Sequence, residues 1–157
     1  MGFSQSSLRD TPLAETQQSI SVVTTQQMKD QGAETLGQAL SYSAGVVSEP
    51  YGSDPRFDSP TIRGFEARSP QYVNGLRQLR YMGAPAYETY GIQQVEVLRG
   101  PSSSLYGAGA PSGIINQIQK RAQAHDFGEV GLGFDSNNSR QLFLDVNRAV
   151  SDTLALR

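Results

Sequence analysis

The stretch Gln94–Arg121, QVEVLRGPSSSLYGAGAPSGIINQIQKR, constrains the fold of this chain more than any other. Alternating apolar residues lead to an Arg-Gly corner at Arg99, and a glycine-rich run separates this strand from a second one near Ile114. The glycine spacing is G-x-G-x-x-x-G and no Walker lysine follows, so the run does not match a phosphate-binding loop. The stretch therefore predicts two strands joined by a glycine-rich turn.

The composition excludes several classes of function. The chain has 157 residues, a net charge of −2, no cysteine and one histidine. This charge gives no electrostatic basis for binding nucleic acid or an anionic membrane surface. Disulfides, thiolate metal sites and a cysteine nucleophile are excluded, and His125 has no partner motif. Asp54 and Asp58 lie in a proline-rich loop, where we expect their carboxylates to be solvated. Since the sequence offers no catalytic motif, we expect no enzyme activity.

Short elements are predicted ahead of the central stretch. The β-branched run Ser19–Thr24 predicts a strand, and Thr25 is placed to cap a helix that continues to Asp30. Residues at helical spacing predict a second helix over Thr35–Ser43. The pair Asn74-Gly75 between apolar residues predicts a hairpin turn.

Two loop segments have the composition of ligand-contacting surfaces. The segment from Val46 to Pro60 is long for a loop, which favours a binding role or mobility, and a tolerated surface insertion fits it equally well. The segment from Arg77 to Tyr90 is rich in arginine and tyrosine, and such side chains on turns suit ligand contact better than core filling. The alternative for these tyrosines is packing at the base of a loop.

Two arginines stand at the ends of apolar strands. Arg63 and Arg99 each precede a glycine, and a buried charge at such a position requires a partner. Glu96 could serve one of them within the chain, and the other would need a carboxylate from another chain or segment. The alternative is that both arginines are simply exposed.

The pattern changes after Ala122. Short segments follow in which apolar residues alternate with small or polar ones, at 130–134 and again at 142–146, where Phe143 breaks the polar side. Strands of this kind suit a transmembrane β-barrel with its apolar face outward. By pattern alone they suit a soluble sandwich equally well.

A series of short motifs stands in a fixed order along residues 11–121. In chain order they are QSISVVT at Gln18–Thr24, ALSY at Ala39–Tyr42 with Gly45-Val46, IRGF at Ile62–Phe65, YVNGL at Tyr72–Leu76, VEVLRGP at Val95–Pro101, LYG at Leu105–Gly107, GIIN at Gly113–Asn116, and Lys120-Arg121. With these motifs the chain resembles the plug domain of TonB-dependent outer-membrane receptors, in particular the siderophore group that includes ferrichrome-type receptors. One departure is Pro111-Ser112-Gly113, where the family usually has Pro-Gly-Gly.

The resemblance implies a fold and its boundaries. The fold is an α+β plug domain with a mixed four-stranded sheet and short helices, followed by the start of a transmembrane antiparallel β-barrel of about 22 strands. By the same resemblance, residues 1–11 are an N-terminal leader and residues 12–122 are the plug domain. Residues 123–157 are then the first strands of the barrel.

The resemblance also implies a function, which is TonB-dependent transport of ferric siderophores across the bacterial outer membrane with the plug gating the barrel. The implied partners are the ferric siderophore, TonB with ExbB and ExbD, the chain's own barrel and outer-membrane lipid, without nucleic acid. The siderophore chelates the Fe(III), so no protein metal ligand and no directly bound cofactor are expected. Asn74 replaces a commoner aspartate and favours a hydroxamate ligand. The alternative is a soluble periplasmic or secreted module that binds a small molecule.

Site residues follow from the resemblance as well. The implied siderophore contacts in the apical loops are Tyr51, Arg77, Gln78, Leu79, Arg80, Tyr81, Tyr87 and Tyr90. Tyr51 and Tyr90 are favoured because they lie at positions that contact ligand in ferrichrome-type relatives. The implied plug–barrel anchors are Arg63, Glu96 and Arg99, and the family pairs the equivalents of the two arginines with barrel glutamates.

Overall fold

The computed structural model describes residues 3–4, 11–12, 19–52, 58–67, 71–78, 88–101, 106, 111–134, 136 and 138–157. The chain divides into two compact units, Met1–Gln119 and Lys120–Arg157. Each unit has its own secondary structure and is described separately.

The first unit contains ten short strands and two helices among its described residues. In chain order they are β1 (Phe3–Ser4), β2 (Thr11–Pro12), β3 (Ser19–Thr24), α1 (Thr25–Asp30), α2 (Leu36–Ala39), β4 (Val46–Val47), β5 (Thr61–Ile62), β6 (Phe65–Glu66), β7 (Gln71–Val73), β8 (Leu76–Arg77), β9 (Ile92–Arg99) and β10 (Gly113–Gln119). A 3-10 turn, Thr89–Gly91, leads into β9.

The main sheet of this unit has five strands in the order β3-β9-β10-β7-β8. Strand β9 is antiparallel to both of its neighbours, whereas β10 and β7 run parallel. The sheet is therefore mixed, as predicted, and the strand beyond the predicted four is the two-residue β8. The small strands β4, β5 and β6 form a separate antiparallel sheet, and β1 pairs with β2.

The predicted hairpin turn is confirmed at Asn74 and Gly75. Both residues have positive φ, 50° and 80°. This is the pattern of a two-residue type I′ turn, whose twist matches that of the flanking strands. The turn joins β7 to β8, so the Asn74-Gly75 pair correctly predicted a hairpin between two strands of the sheet.

The central stretch forms the two predicted strands, β9 and β10, which pair antiparallel. Most of the glycine-rich turn predicted between them lies outside the described residues. The pair closes tightly at Gly113, which has φ 136°, and a Cβ there would overlap the carbonyl oxygen of Leu98. Ser112, the residue that departs from the family pattern, is not among the described non-glycine residues with positive φ. Only Gly113 of this pair needs the freedom of glycine, and serine fits without backbone strain.

The helices differ in detail from the sequence prediction. Helix α1 is capped by Thr24 rather than Thr25, in a capping box with Gln27. Helix α2 is capped by Thr35, as its predicted start suggests, but it ends at Ala39. Beyond it the chain continues in turns, one of them closed by a 2.8 Å bond from Ser43 N to the Leu40 carbonyl.

The expectation that Asp58 is a solvated carboxylate is wrong. Asp58 is buried, and its two oxygens accept hydrogen bonds from the backbone N–H groups of Leu36 (3.2 Å) and Gly37 (3.0 Å). These amides belong to the first turn of α2 and have no partner within the helix. Asp58 therefore serves as a cap delivered from a distant loop, and Asp54 lies outside the described residues.

Two apolar clusters lie against the sheet. The larger one includes Val95 and Val97 of β9 together with residues of both helices, such as Met28 and Leu36. The smaller one consists of Tyr72, Leu98 and Ile114, with Ile20 and Tyr106 packed against it. Because side chains alternate along a strand, Val97 and Leu98 point to opposite faces, and the sheet is covered on both.

The second unit is an antiparallel meander of β11 (Phe127–Phe134), β12 (Arg140–Ser151) and β13 (Leu154–Leu156). One face of this meander presents large apolar side chains that are at least half exposed: Val130, Leu132, Phe134, Leu142, Leu144, Val146, Val150, Leu154 and Leu156. The exposed Arg148 interrupts this row between Val146 and Val150. The opposite face carries small and polar residues together with Phe127 and Phe143, so the predicted alternation is confirmed apart from these positions.

Within the described residues, neither α1 nor α2 has the length and apolar character needed to cross a bilayer.

Candidate functional site

Arg99, at the end of β9, is held by neutral oxygen acceptors. Its Nε donates to the Ala44 carbonyl at 2.7 Å, and its Nη2 donates to Ser21 Oγ at 2.8 Å. Ser19 and Ser21 lie on the edge strand β3, opposite Arg99 and Val97. The guanidinium therefore lies across the edge of the sheet, on the face that carries Val97.

Arg63 lies close to Arg99. Its backbone N–H donates to the Gly45 carbonyl at 2.9 Å, next to the Ala44 carbonyl that accepts from Arg99. Arg63 has φ 51°, a left-handed conformation that is unusual for a residue with a side chain. Partial burial lowers the pKa of Arg99, and the positive charge of Arg63 lowers it further. The two arginines thus form a pair of like charges in the first unit.

Neither arginine forms an ion pair with a carboxylate within the described part of the chain. Glu96 is fully buried and projects from the sheet face opposite to that of Arg99. Its carboxylate accepts from Gln94 Nε2 at 2.7 Å and from Asn116 Nδ2 at 3.4 Å. The structure does not place Glu96 against either arginine. The assignment of Arg63, Glu96 and Arg99 as barrel anchors stays a prediction.

The candidate ligand residues are described in part. Tyr51 is 75% exposed in the turn after β4, and Tyr90 is 40% exposed in the 3-10 turn before β9. Arg77 is exposed on β8, and the backbone N–H of Gln78 closes the hairpin by donating to the Gln71 carbonyl at 2.9 Å. The four other candidates lie outside the described residues: Leu79, Arg80, Tyr81 and Tyr87. The ligand assignment of all eight residues stays a prediction.

The second unit contains a polar cluster that sequence reasoning missed. Asp145 of β12 accepts hydrogen bonds from Lys120 Nζ at 2.8 Å and from Arg157 Nε and Nη2 at 2.8 and 2.7 Å. All three side chains are largely buried, with exposures of 8% for Asp145, 11% for Lys120 and 13% for Arg157. One carboxylate therefore joins the start of this unit to its last residue.

Asn147, two residues further along β12, binds backbone rather than side chains. Its Oδ1 accepts from Gln123 N at 2.8 Å, while its Nδ2 donates to the carbonyls of Gln123 at 2.8 Å and His125 at 2.6 Å. A sequence signal for this cluster was present. Asp145 and Asn147 are the polar members of the alternating strand, but their partners in 120–125 belong to no regular element.

Within the described residues, no group of three or more His, Asp or Glu side chains is arranged to hold a metal ion.

Comparison with known protein families gives one match that covers most of the chain. The family described as TonB-dependent Receptor Plug Domain matches residues 12–114. The matched range contains all of β3, β7, β8 and β9 of the mixed sheet and the first two residues of β10.

Known proteins similar to this chain include receptors for more than one type of siderophore. The chain is 36% identical to the Ferrioxamine receptor of Yersinia enterocolitica over 153 residues, which is 94% of this chain and 22% of that protein. It is 34% identical to the Catecholate siderophore receptor Fiu of Escherichia coli (strain K12) over 149 residues, which is 93% of this chain and 19% of that protein. The chain thus spans about a fifth of the length of these curated relatives, 22% and 19%.

The similarity extends to three-dimensional structure. The closed form of the ferric-catecholate import receptor Fiu from Escherichia coli K12 matches with a TM-score of 0.81 at 33% identity, over 92% of this chain and 20% of that one. The match includes residues of both units, since it extends over more of the chain than either unit alone.

Proposed function

The chain belongs to the TonB-dependent receptor plug domain family, and from this premise we propose that the protein carrying it transports ferric siderophores through the bacterial outer membrane. In this proposal the plug unit gates the lumen of a barrel and contributes to ligand binding. Residues 12–122 are the plug domain, residues 1–11 are its leader, and residues 123–157 are the first barrel strands. The protein's location is the bacterial outer membrane.

The observation that carries the proposal is the change of architecture at the boundary between Gln119 and Lys120. An α+β unit with its own core is followed, after Lys120–Asp126, by strands that expose a largely apolar face. In water a face of this kind is an aggregation liability, whereas against lipid the same side chains are stabilising. This face and the relatives both favour the transporter over a soluble small-molecule binding module.

The proposed ligand contacts lie on the apical loops. Tyr51, Tyr90 and Arg77 are exposed residues, and aromatic and guanidinium side chains are suited to contact with a large polar ligand. Gln78, Leu79, Arg80, Tyr81 and Tyr87 complete the proposed surface. Iron enters as the cargo of its chelator, so the protein itself supplies no iron ligand and needs no bound cofactor.

The proposed energy source is TonB, which the family implies, acting with ExbB and ExbD. We further propose a ferric hydroxamate as the substrate class, in line with the relative named as a ferrioxamine receptor. Asn74 is the residue from which the sequence favoured a hydroxamate. Its side chain is hydrogen-bonded to Gln119, so its proposed effect on ligand preference is indirect and acts through the position of the β7–β8 hairpin.

Seating of the plug is proposed to depend on Arg63, Glu96 and Arg99. The two arginines form a like-charge pair in the plug unit, and a carboxylate from the barrel would stabilise both.

The proposal is tested by equilibrium binding of ferric siderophores to the purified receptor that contains this chain. Ferrioxamine B and a ferric catecholate are compared on the wild type, Tyr51→Ala, Tyr90→Ala and a Tyr42→Ala control, which removes another exposed tyrosine. We expect saturable binding, strongest for the hydroxamate, that weakens in the first two variants only. Binding of neither ligand contradicts the function, and unchanged affinity in both Tyr51 and Tyr90 variants contradicts the assigned contacts.

A further inference from the structure

The segment Lys120–Asp126, called here the linker, is bonded along its length to β12. The residues that hold it are Asp145, Asn147 and Arg157, called here the linker clamp. We propose that the linker clamp keeps the linker fixed on β12 during transport, so that any displacement of the plug is taken up N-terminal to Lys120. The inference rests on the proposed function, since it concerns the movement that accompanies transport.

The first part of the clamp is a largely buried charge cluster. Asp145 is bonded at once to Lys120, which begins the linker, and to Arg157, which lies beyond β13. Ion pairs removed from solvent are little screened by salt. If Lys120 were pulled away, a carboxylate that is 8% exposed would lose one of its two cations, which opposes the movement.

The second part is the amide of Asn147, which is 1% exposed. Its one oxygen and both of its N–H groups are used, on the N–H and carbonyl of Gln123 and on the carbonyl of His125. This single side chain binds the linker backbone much as a neighbouring strand would. Release of the linker would leave a buried amide without partners, which is costly.

Further contacts hold the two ends of the linker. Arg157 Nη1 donates to the Arg121 carbonyl at 3.0 Å, and the same guanidinium lies 4.9 Å from the centre of the Phe127 ring. Asp126 Oδ1 accepts from the backbone N–H of Ala149 at 2.6 Å. Hydrogen bonds therefore hold the linker at positions 120, 121, 123, 125 and 126. Because the attachment is spread over these positions, rotation about one backbone bond in the linker does not release it.

The test uses a cysteine pair in the complete receptor. Gln123→Cys and Asn147→Cys replace two neighbouring residues, since the Asn147 side chain bonds the backbone of Gln123, and this chain has no cysteine of its own. A disulfide between them makes the proposed attachment permanent. Each single-cysteine variant, treated with the same oxidant, controls for the substitutions themselves.

We expect the pair to oxidise in the purified receptor, and we expect the oxidised receptor to take up ferric siderophore at the rate of the reduced one. Loss of uptake on oxidation, with siderophore binding retained and uptake restored by reductant, would show that the linker must move and would overturn the proposal. Failure of the two cysteines both to oxidise and to be joined by a short bifunctional thiol reagent would contradict the placement of Gln123 beside Asn147. Wild-type receptor that takes up no ferric siderophore would instead reject the proposed function, so the two failures are distinguishable.

A second measurement does not depend on cysteine chemistry. Hydrogen exchange at the Gln123 amide should be slow in the wild type and faster in Asn147→Ala, while Gln141→Ala, on the same face of β12, leaves it slow. Ligand and TonB should not accelerate this exchange in the wild type. Acceleration by TonB would show that the clamp opens and would contradict the proposal.

Discussion

Asn74 and Gln119 are joined by two hydrogen bonds that run in opposite directions. Asn74 Nδ2 donates to Gln119 Oε1 at 2.8 Å, and the backbone N–H of Gln119 donates to Asn74 Oδ1 at 3.0 Å. The turn residue of the β7–β8 hairpin is thereby tied to the last residue of β10. Asn74 has φ 50°, a conformation that asparagine and aspartate tolerate better than most residues.

This relationship predicts the response of the plug to substitution at Asn74. Asn74→Ala should destabilise it by about 2 kcal/mol, because both bonds are lost and alanine disfavours the left-handed conformation. Asn74→Asp keeps the acceptor for Gln119 N and should cost less than about 1 kcal/mol. Urea-dependent protease cleavage of the plug in the intact receptor measures both. Equal losses of stability in the two variants would contradict the role assigned to the Gln119 N–H to Asn74 Oδ1 bond.

Gly113 should tolerate no side chain. Its Cβ would overlap the Leu98 carbonyl, and its φ of 136° is unfavourable for alanine. We expect Gly113→Ala to cost about 3 kcal/mol through overpacking and backbone strain, whereas Gly91→Ala, where a Cβ meets open space, should be nearly neutral. The amount of folded receptor and the urea midpoint of plug cleavage measure the difference. If the Gly113→Ala plug is as stable as the Gly91→Ala plug, the backbone of Gly113 does not approach the Leu98 carbonyl as closely as described.

A corresponding glycine lies in the second unit. Gly131 faces Phe143 across the β11–β12 pair, and a Cβ there would overlap the aromatic ring. Gly131→Ala should cost about 2 kcal/mol, and Gly128→Ala on the same strand, with open space around it, should cost little. Replacing Phe143 with alanine as well should recover part of the loss. Heat-modifiable migration of the folded barrel is a suitable measurement, and no recovery in the double variant argues against the ring contact.

The like-charge pair Arg63 and Arg99 should matter for plug seating. If barrel carboxylates stabilise these arginines, Arg63→Ala together with Arg99→Ala should expose the plug to protease and let small solutes leak through the barrel. Arg140→Ala, an exposed arginine of β12, is the matched control. If the double variant resists protease like the wild type and does not leak, Arg63 and Arg99 do not contribute to the seating of the plug.

The sequence predicted those parts of the fold that depend on local signals. Asn74-Gly75 predicted a turn in which both residues have positive φ angles, and the apolar runs before and after the glycine-rich run predicted the strands β9 and β10. The period-two alternation after Ala122 correctly predicted strands with one apolar face. In each case a few neighbouring residues were sufficient to specify the backbone.

What the sequence did not predict depends on residues that are distant along the chain. Asp58 caps α2 across more than twenty positions, and nothing in its proline-rich surroundings distinguishes it from a solvated carboxylate. Asn147 binds the backbone of Gln123, and backbone acceptors leave no trace in the sequence. The contacts of Arg99 with Ser21 and Ala44 likewise required the register of β3 against β9.

The central claim is that a receptor built around this plug transports ferric siderophore at the expense of TonB-coupled energy. Its most direct test is uptake of radiolabelled iron, supplied as ferrioxamine B, by iron-starved cells whose only siderophore receptor is the protein carrying this chain. We predict saturable uptake in cells with TonB and none above background in otherwise identical cells without it. Uptake that does not depend on TonB, or its absence for both ferrioxamine B and a ferric catecholate in a correctly folded receptor, would contradict the claim.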